Sequence, residues 1–243
     1  GVTPGTIAGD QTLCTPFDPA AFTETTAATG SGTLSYQWQS NTTGCGGTFT
    51  NISGATAATY DAGVIAVTTY YRRVTTSTLN GVACAANSNC LTVTPNAVTA
   101  GVVAGDQTLC TPFDPAAFTE TTPATGTGTL SYQWQSNTSS CTGTWNNITG
   151  ATTATYDAPA VAITTFYRRL VTSTLNGVAC AANSNCLTVT VNNVTAGVVA
   201  ADQTLCTPFD PAAFTETTAA TGSGTLSYQW QSNITGCGGS FTN

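Results

Sequence analysis

Hydrophobic and polar positions along this chain alternate in short bursts and never settle into a helical period. Leu34, Tyr36 and Trp38 are separated by Ser35, Gln37 and Gln39, the period-2 pattern of a strand with one apolar and one polar face. Runs rich in Thr, Val, Tyr and Phe are divided by Gly/Asn/Pro/Asp clusters, the spacing of a β-sandwich. Strands are predicted near residues 6–14, 20–27, 33–40, 48–53, 56–61, 67–79 and 82–95. Trp38 is expected at the centre of the core. Asn80-Gly81 between two strand-like runs predicts a type I′ hairpin, because that turn needs positive φ at both central residues. The turn sets a register in which paired residue numbers add to 161, so Leu79 faces Val82, Ser77 faces Cys84 and Tyr71 faces Cys90. Tyr70, Val74, Leu91 and Val93 then share a face, expected to be the inward one because Phe166 and Leu170 keep it apolar in a second copy.

That second copy is one of several. Asp10-Gln11-Thr12-Leu13-Cys14 returns at Asp106–Cys110 and at Asp202–Cys206, an offset of 96 residues each time. Residues 9–95 and 105–191 differ at only 17 of 87 aligned positions. The period is too long for a solenoid and suits a small all-β domain with its own core. The expected organisation is two immunoglobulin-like β-sandwich repeats of about seven strands, 1–96 and 97–192, and the first half of a third, 193–243. Trp134 and Trp230 are the expected core counterparts of Trp38. The connections 94–99 and 190–195 are β-prone and lack Gly/Ser composition, so a stiff rod is expected rather than a flexible tether. Half a sandwich would expose strand edges, so the third copy is expected to be completed, by further chain beyond Asn243 in the favoured reading or by strands from another chain in the alternative.

Composition narrows the chemistry. Only 6% of residues are charged; four arginines, no lysine and 11 acidic residues give a net charge of -7. Phosphate neutralisation and anionic-membrane docking both need basic clusters, so neither nucleic acid nor a membrane surface is an expected partner. No apolar run reaches the ~20 residues of a membrane-spanning helix. Histidine is absent, which removes the usual general base and the Ser-His-Asp and Cys-His systems. No enzymatic activity, catalytic residue or cofactor is expected.

Cysteines fall at 14, 45, 84 and 90, at 110, 141, 180 and 186, and at 206 and 237. Four per full repeat without histidine reads as a disulfide framework made in an oxidising, extracellular setting. Zinc knuckles would show C-x2-4-C pairs, and the closest spacing here is C-x5-C. Cys84 and Cys90 lie on one predicted strand, about 20 Å apart at ~3.3 Å per residue, beyond the ~7 Å Cα limit of a disulfide. The favoured pairs are Cys14–Cys84 and Cys45–Cys90, with Cys110–Cys180 and Cys141–Cys186 in the second copy. Cys14–Cys90 with Cys45–Cys84 stays open as the alternative. Cys206 and Cys237 have no partner within this segment.

Other features are weaker as sites. Arg72-Arg73 and Arg168-Arg169 are adjacent on strands, so each pair splits between two faces; a structural pairing with Glu24 or Asp61 is expected. The acidic residues are dispersed, with no D-x-D-x-D-G calcium run, and no metal site is assigned. Sequons occur at Asn41, Asn51, Asn137, Asn147, Asn193 and Asn233. Tyr71, Gln37 and Gln39 are the residues on which outward carbohydrate binding would rest.

The string G-D-Q-T-L-C…D-P-A-A-F, T-L-S-Y-Q-W-Q-S-N, N-I-S-G-A-T, T-Y-Y-R-R-V-T-T-S-T-L-N-G-V-A-C and S-N-C-L-T-V-T resembles the immunoglobulin-like repeats of very large Bacteroidota surface proteins. That group includes gliding-motility adhesins and related proteins exported by the type IX secretion system. The resemblance covers the whole chain, with the third copy truncated. It implies export, a cell-surface or extracellular-filament location and a role in adhesion or as a stalk, and it carries over no catalytic residue. Repeats of this kind often hold only the Cys14-like and Cys84-like cysteines, which agrees with pairing those two. The expected function is a structural or adhesive repeat region that associates with neighbouring copies of itself in a filament. The alternatives are a module binding a surface glycan or protein target, and spacer domains of a giant extracellular enzyme.

Overall fold

The computed structural model describes residues 1–16, 18–110 and 114–243, and among these every regular element is a strand. Repeat 1 contains β1 (Val2–Thr3), β2 (Thr6–Ala8), β3 (Gln11–Cys14), β4 (Thr23–Thr26) and β5 (Thr29–Gly30). It continues with β6 (Thr33–Asn41), β7 (Thr50–Asn51), β8 (Thr69–Leu79), β9 (Val82–Asn87) and β10 (Leu91–Asn96). One sheet has the order β3-β10-β8-β6-β7, with β9 paired to the other half of β8; β2–β4 and β1–β5 form small antiparallel pairs. The two layers close over Ile7, Phe22, Trp38, Tyr71, Leu91 and Val93, all buried in one cluster. This is a tandem immunoglobulin-like β-sandwich architecture. Phe22, Trp38, Tyr60 and Tyr71 form its aromatic centre, with Phe22 and Tyr71 rings 4.9 Å apart.

The strands are shorter and more numerous than the seven expected, for local reasons. The run 6–14 splits at Gly9, whose φ of +139° turns the chain from the small layer (β2) into the large sheet (β3). A side chain there would press on the Phe22 ring. The predicted strand near 56–61 reduces to a single bridge between Phe22 and Tyr60. The run 82–95 breaks after Asn87 because Asn89 turns aside: its side chain accepts from the Ile7 N–H and donates to the Ile7 carbonyl, at 2.9 and 2.8 Å.

That break changes the register. The hairpin holds Leu79↔Val82 and Ser77↔Cys84 around Asn80 (φ 50°) and Gly81 (φ 79°). Past the break β10 pairs as Leu91↔Tyr71, one residue out of step with the hairpin. The expected Tyr71–Cys90 pairing is therefore corrected, and so is the inward face of β8. Tyr71, Arg73, Thr75 and Ser77 point in, with Leu91 and Val93 beside them, while Tyr70 and Val74 lie half-buried on the opposite face. A one-residue slip exchanges the faces of a strand.

Repeat 2 reproduces this order as β11 (Val98–Thr99), β12 (Val102–Ala104), β13 (Gln107–Cys110), β14 (Thr119–Thr122) and β15 (Thr125–Gly126), then β16 (Thr129–Asn137) and β17 (Asn146–Asn147). It closes with β18 (Thr165–Leu175), β19 (Val178–Asn183) and β20 (Leu187–Asn192). Residues 193–243 supply only β21 (Val194–Thr195), β22 (Val198–Ala200), β23 (Thr215–Thr218) and β24 (Thr221–Gly222). Trp38 and Trp134 are fully buried, and Trp230 is 61% exposed in this segment. This segment contains no counterpart of β8 and β10, so no sheet lies across that indole.

Candidate functional site

The arginine pair separates as strand geometry requires. Arg72 lies outward, donates to Gln39 Oε1 at 2.8 Å and stacks over Phe49 at 4.2 Å. Arg73 is fully buried: it donates to Glu24 at 2.6 Å, to the Ala58 carbonyl at 2.6 Å and to the Pro4 carbonyl at 2.9 Å. Its guanidinium also lies over the Tyr36 ring, and repeat 2 repeats the set with Arg169, Glu120, Ala154 and Ala100. The Arg73 hydrogen bond holds the Glu24 carboxyl below its usual range, against the opposing effect of burial, with the Ala28 N–H also lowering it. This cation is a structural tie between layers, because every acceptor it uses belongs to the opposite layer or a connecting loop.

The residues on which carbohydrate binding would rest are not gathered into a surface. Tyr71 is buried, which corrects its outward placement. Gln37 donates to the Ile52 carbonyl, and Gln39 is held between Arg72 and Asn51. The sequon residue Asn41 accepts from the Thr43 and Gly44 N–H groups and donates to the Gly44 carbonyl. Asn137 is buried in the corresponding turn. Among the described residues no three His, Cys, Asp or Glu side chains come together as a metal site.

The cysteines converge on a different place. Cys45 is bonded to Cys90 and Cys141 to Cys186, each spanning 45 residues inside one repeat. Cys14, however, is bonded to Cys180 of the next repeat, with Cα atoms 5.4 Å apart at a sequence separation of 166. The expected pairs Cys14–Cys84 and Cys110–Cys180 are thereby corrected, and Cys84 and Cys110 are exposed thiols, as are Cys206 and Cys237. The physical reason is strand direction. β3 runs parallel to the last strand, Cys14 opposite Asn96, so its end lies where the chain leaves the repeat. The β8–β9 hairpin that carries Cys84 sits at the other end, sharing a recess with Gly1 and Ser31. Cys14 thus meets the hairpin of the following repeat.

The connecting segment is built into the same joint. Asn96 is fully buried; its amide donates to the Ser173 carbonyl at 2.8 Å and the Val178 carbonyl at 2.9 Å, and its oxygen accepts from Ser173 Oγ at 2.7 Å. Thr127 Oγ1 donates to the same oxygen at 3.0 Å, and Asn176 of the hairpin donates to Thr12 across the joint. A buried amide that uses both its donors and its acceptor fixes geometry at little cost, since none is left unpaired. The sequence signal for this joint was the stiff composition of 94–99; nothing in it singled out Asn96.

Fold and joint together define a class, that of tandem immunoglobulin-like repeats coupled end to end. The chain belongs to the family described as a domain of unknown function, DUF8696, which matches residues 3–97 and again 99–193. No curated protein matches the sequence. Among solved structures it is similar to three N-terminal domains of the highly immunogenic outer capsid protein (Hoc) of bacteriophage RB49, at 11% identity and a TM-score of 0.46, covering 78% of this chain and 69% of that one. It is also similar to immunoglobulin domains 1–4 of Sidekick-1, at 13% identity and a TM-score of 0.33, covering 80% of this chain and 49% of that one.

Proposed function

We propose that this chain is a load-bearing repeat region of a secreted surface protein, a stalk or extracellular filament of the kind found in Bacteroidota, with no catalytic role. The observation that carries the reading is the Cys14–Cys180 bond over the buried Asn96. A joint closed by a covalent bond and a satisfied buried amide resists both bending and extension. Disulfides persist in oxidising compartments, which supports an extracellular setting, and neutral Thr/Ser-rich surfaces suit dense packing against neighbouring copies.

Tension applied at the two termini enters at Cys14, crosses the bond and leaves from Cys180. The chain between them, a sequence separation of 166, is bypassed, which withholds about 550 Å of contour at ~3.3 Å per residue. Pulling single molecules of the 243-residue chain tests this. Oxidised wild type is expected to release only the short segments outside the bond, 1–14 and 180–192, and Cys14→Ser to show two longer and similar unfolding steps. Two such steps in the oxidised wild type would show that the joint does not carry the load.

A further inference from the structure

Repeat 1 carries at its free end every element that repeat 2 uses to hold repeat 1. At the occupied joint, Ser173 and Val178 receive Asn96 and Cys180 receives Cys14, with Leu175 paired to Val178 in the same hairpin. Their counterparts 96 residues earlier are Ser77, Leu79, Val82 and Cys84. With Gly1 and Ser31 these line an open recess of about 170 Å³. Exposure marks the difference between the filled and the empty seat. Cys180 is 3% exposed, whereas Cys84 is an exposed thiol; Val82 is 67% and Leu79 50% exposed, against half-buried Val178 and Leu175. The donor side is also present: Cys110 and Asn192, the counterparts of Cys14 and Asn96, face each other across β13 and β20; both are exposed, Cys110 as a thiol and Asn192 with its oxygen accepting from Ser223 Oγ.

We infer that the Ser77–Cys84 recess is the seat of another copy of this repeat joined in line ahead of Gly1, whose Cys14-type thiol bonds to Cys84. The choice of occupant follows from the joint already closed within the chain. Its partner residues are the same at 96-residue offset, and the connecting strand that delivers Asn96 must arrive covalently at the residue preceding Gly1, as Asn96 precedes Ala97. A separate chain offers no such connection. Each inter-repeat bond then ties repeat n to repeat n+1, and only Cys45–Cys90-type bonds close within a domain. The bond forms by oxidation of two thiols to a disulfide with loss of two protons and two electrons, which a thiol–disulfide couple such as oxidised glutathione accepts. This inference concerns connectivity and stands whether or not the repeats bear load.

The test is the full chain carrying one further copy of residues 1–96 ahead of Gly1, refolded in a glutathione redox buffer and alkylated in the native state. The number of alkylated thiols is expected to stay at that of the parent, with the new Cys14 found bonded to Cys84 in unreduced peptides. Cys84→Ala in the parent repeat should then raise the thiol count by one, because the donor loses its partner. If the added copy instead closes its own Cys14–Cys84 bond, the same substitution lowers the count by one and the inference is overturned. Two extra thiols before any substitution would overturn it too, as would Cys84-dependent multimers of separate chains on a non-reducing gel.

Discussion

Removing Glu24 isolates the cost of an uncompensated buried cation, and repeat 2 supplies an internal control. Glu24→Ala deletes the 2.6 Å charged hydrogen bond to Arg73 and the acceptor of the Ala28 N–H at 3.0 Å. A charged hydrogen bond contributes about 1.5–3 kcal/mol and an ordinary one about 1. Arg73 keeps the Ala58 and Pro4 carbonyls, and the Glu24 side chain is 22% exposed, so water reaches part of the vacated site. The expected loss is about 3 kcal/mol in repeat 1, at the lower end of the roughly 3–5 kcal/mol for breaking a buried pair. Native-state hydrogen exchange reads it directly: amides of Arg73–Ser77 should lose about that much protection while those of Arg169–Ser173 do not. The pH dependence has a definite sign. The folded carboxyl titrates below its ordinary value, chiefly through the Arg73 hydrogen bond, so its contribution is complete above the unfolded pKa and disappears as pH falls through the folded one. Wild type should therefore weaken in acid below about pH 4.5, and the variant should have a shallower acid limb in repeat 1. Repeats that exchange within about 0.5 kcal/mol of each other in Glu24→Ala would refute the assignment of Arg73 as a tie between layers.

Further outcomes follow from the core and the joint. Trp38→Ala should cost repeat 1 about 3–5 kcal/mol by urea denaturation, whereas Trp230→Ala should stay within about 0.5, because that indole is mostly exposed. Asn96→Ala removes four hydrogen bonds of the joint; exchange at residues 173–180 should rise by the equivalent of about 1–3 kcal/mol, with the centre of repeat 1 unchanged. Burial, with a smaller effect of Tyr156, pushes the Tyr167 hydroxyl up to about 12. Its stabilisation is present below about pH 10 and lost as pH rises toward 12, so the urea midpoint of thiol-alkylated protein should fall across that window and fall less in Tyr167→Phe.

The repeat, the strands and the hairpin were legible because each rests on local chemistry: identical pentapeptides 96 residues apart, alternation around Trp38, and Asn80-Gly81 at a turn that needs positive φ. What escaped depends on long-range geometry. No local pattern announces that Asn89 reaches across to Ile7, yet that contact offsets β10 by one residue and exchanges the faces of β8. The ion pair of Arg73 with Glu24 was among those expected, but its complete burial was not, because that rests on the added partners Ala58, Pro4 and Tyr36. The disulfide partner of Cys14 depends on which end of the repeat the last residue of β3 reaches, and cysteine spacing carries no such information.

Asn96 also acts as a ruler. Its amide reaches the Ser173 and Val178 carbonyls only when Cys14 is alongside Cys180, so backbone length and sulfur position are gauged against each other at one point. A slip of one residue between β3 and β10, which pair Cys14 with Asn96, would satisfy one and strand the other. Copies linked in this way tolerate exchanges such as Phe49 for Trp145, while the register of these two strands is held to the residue.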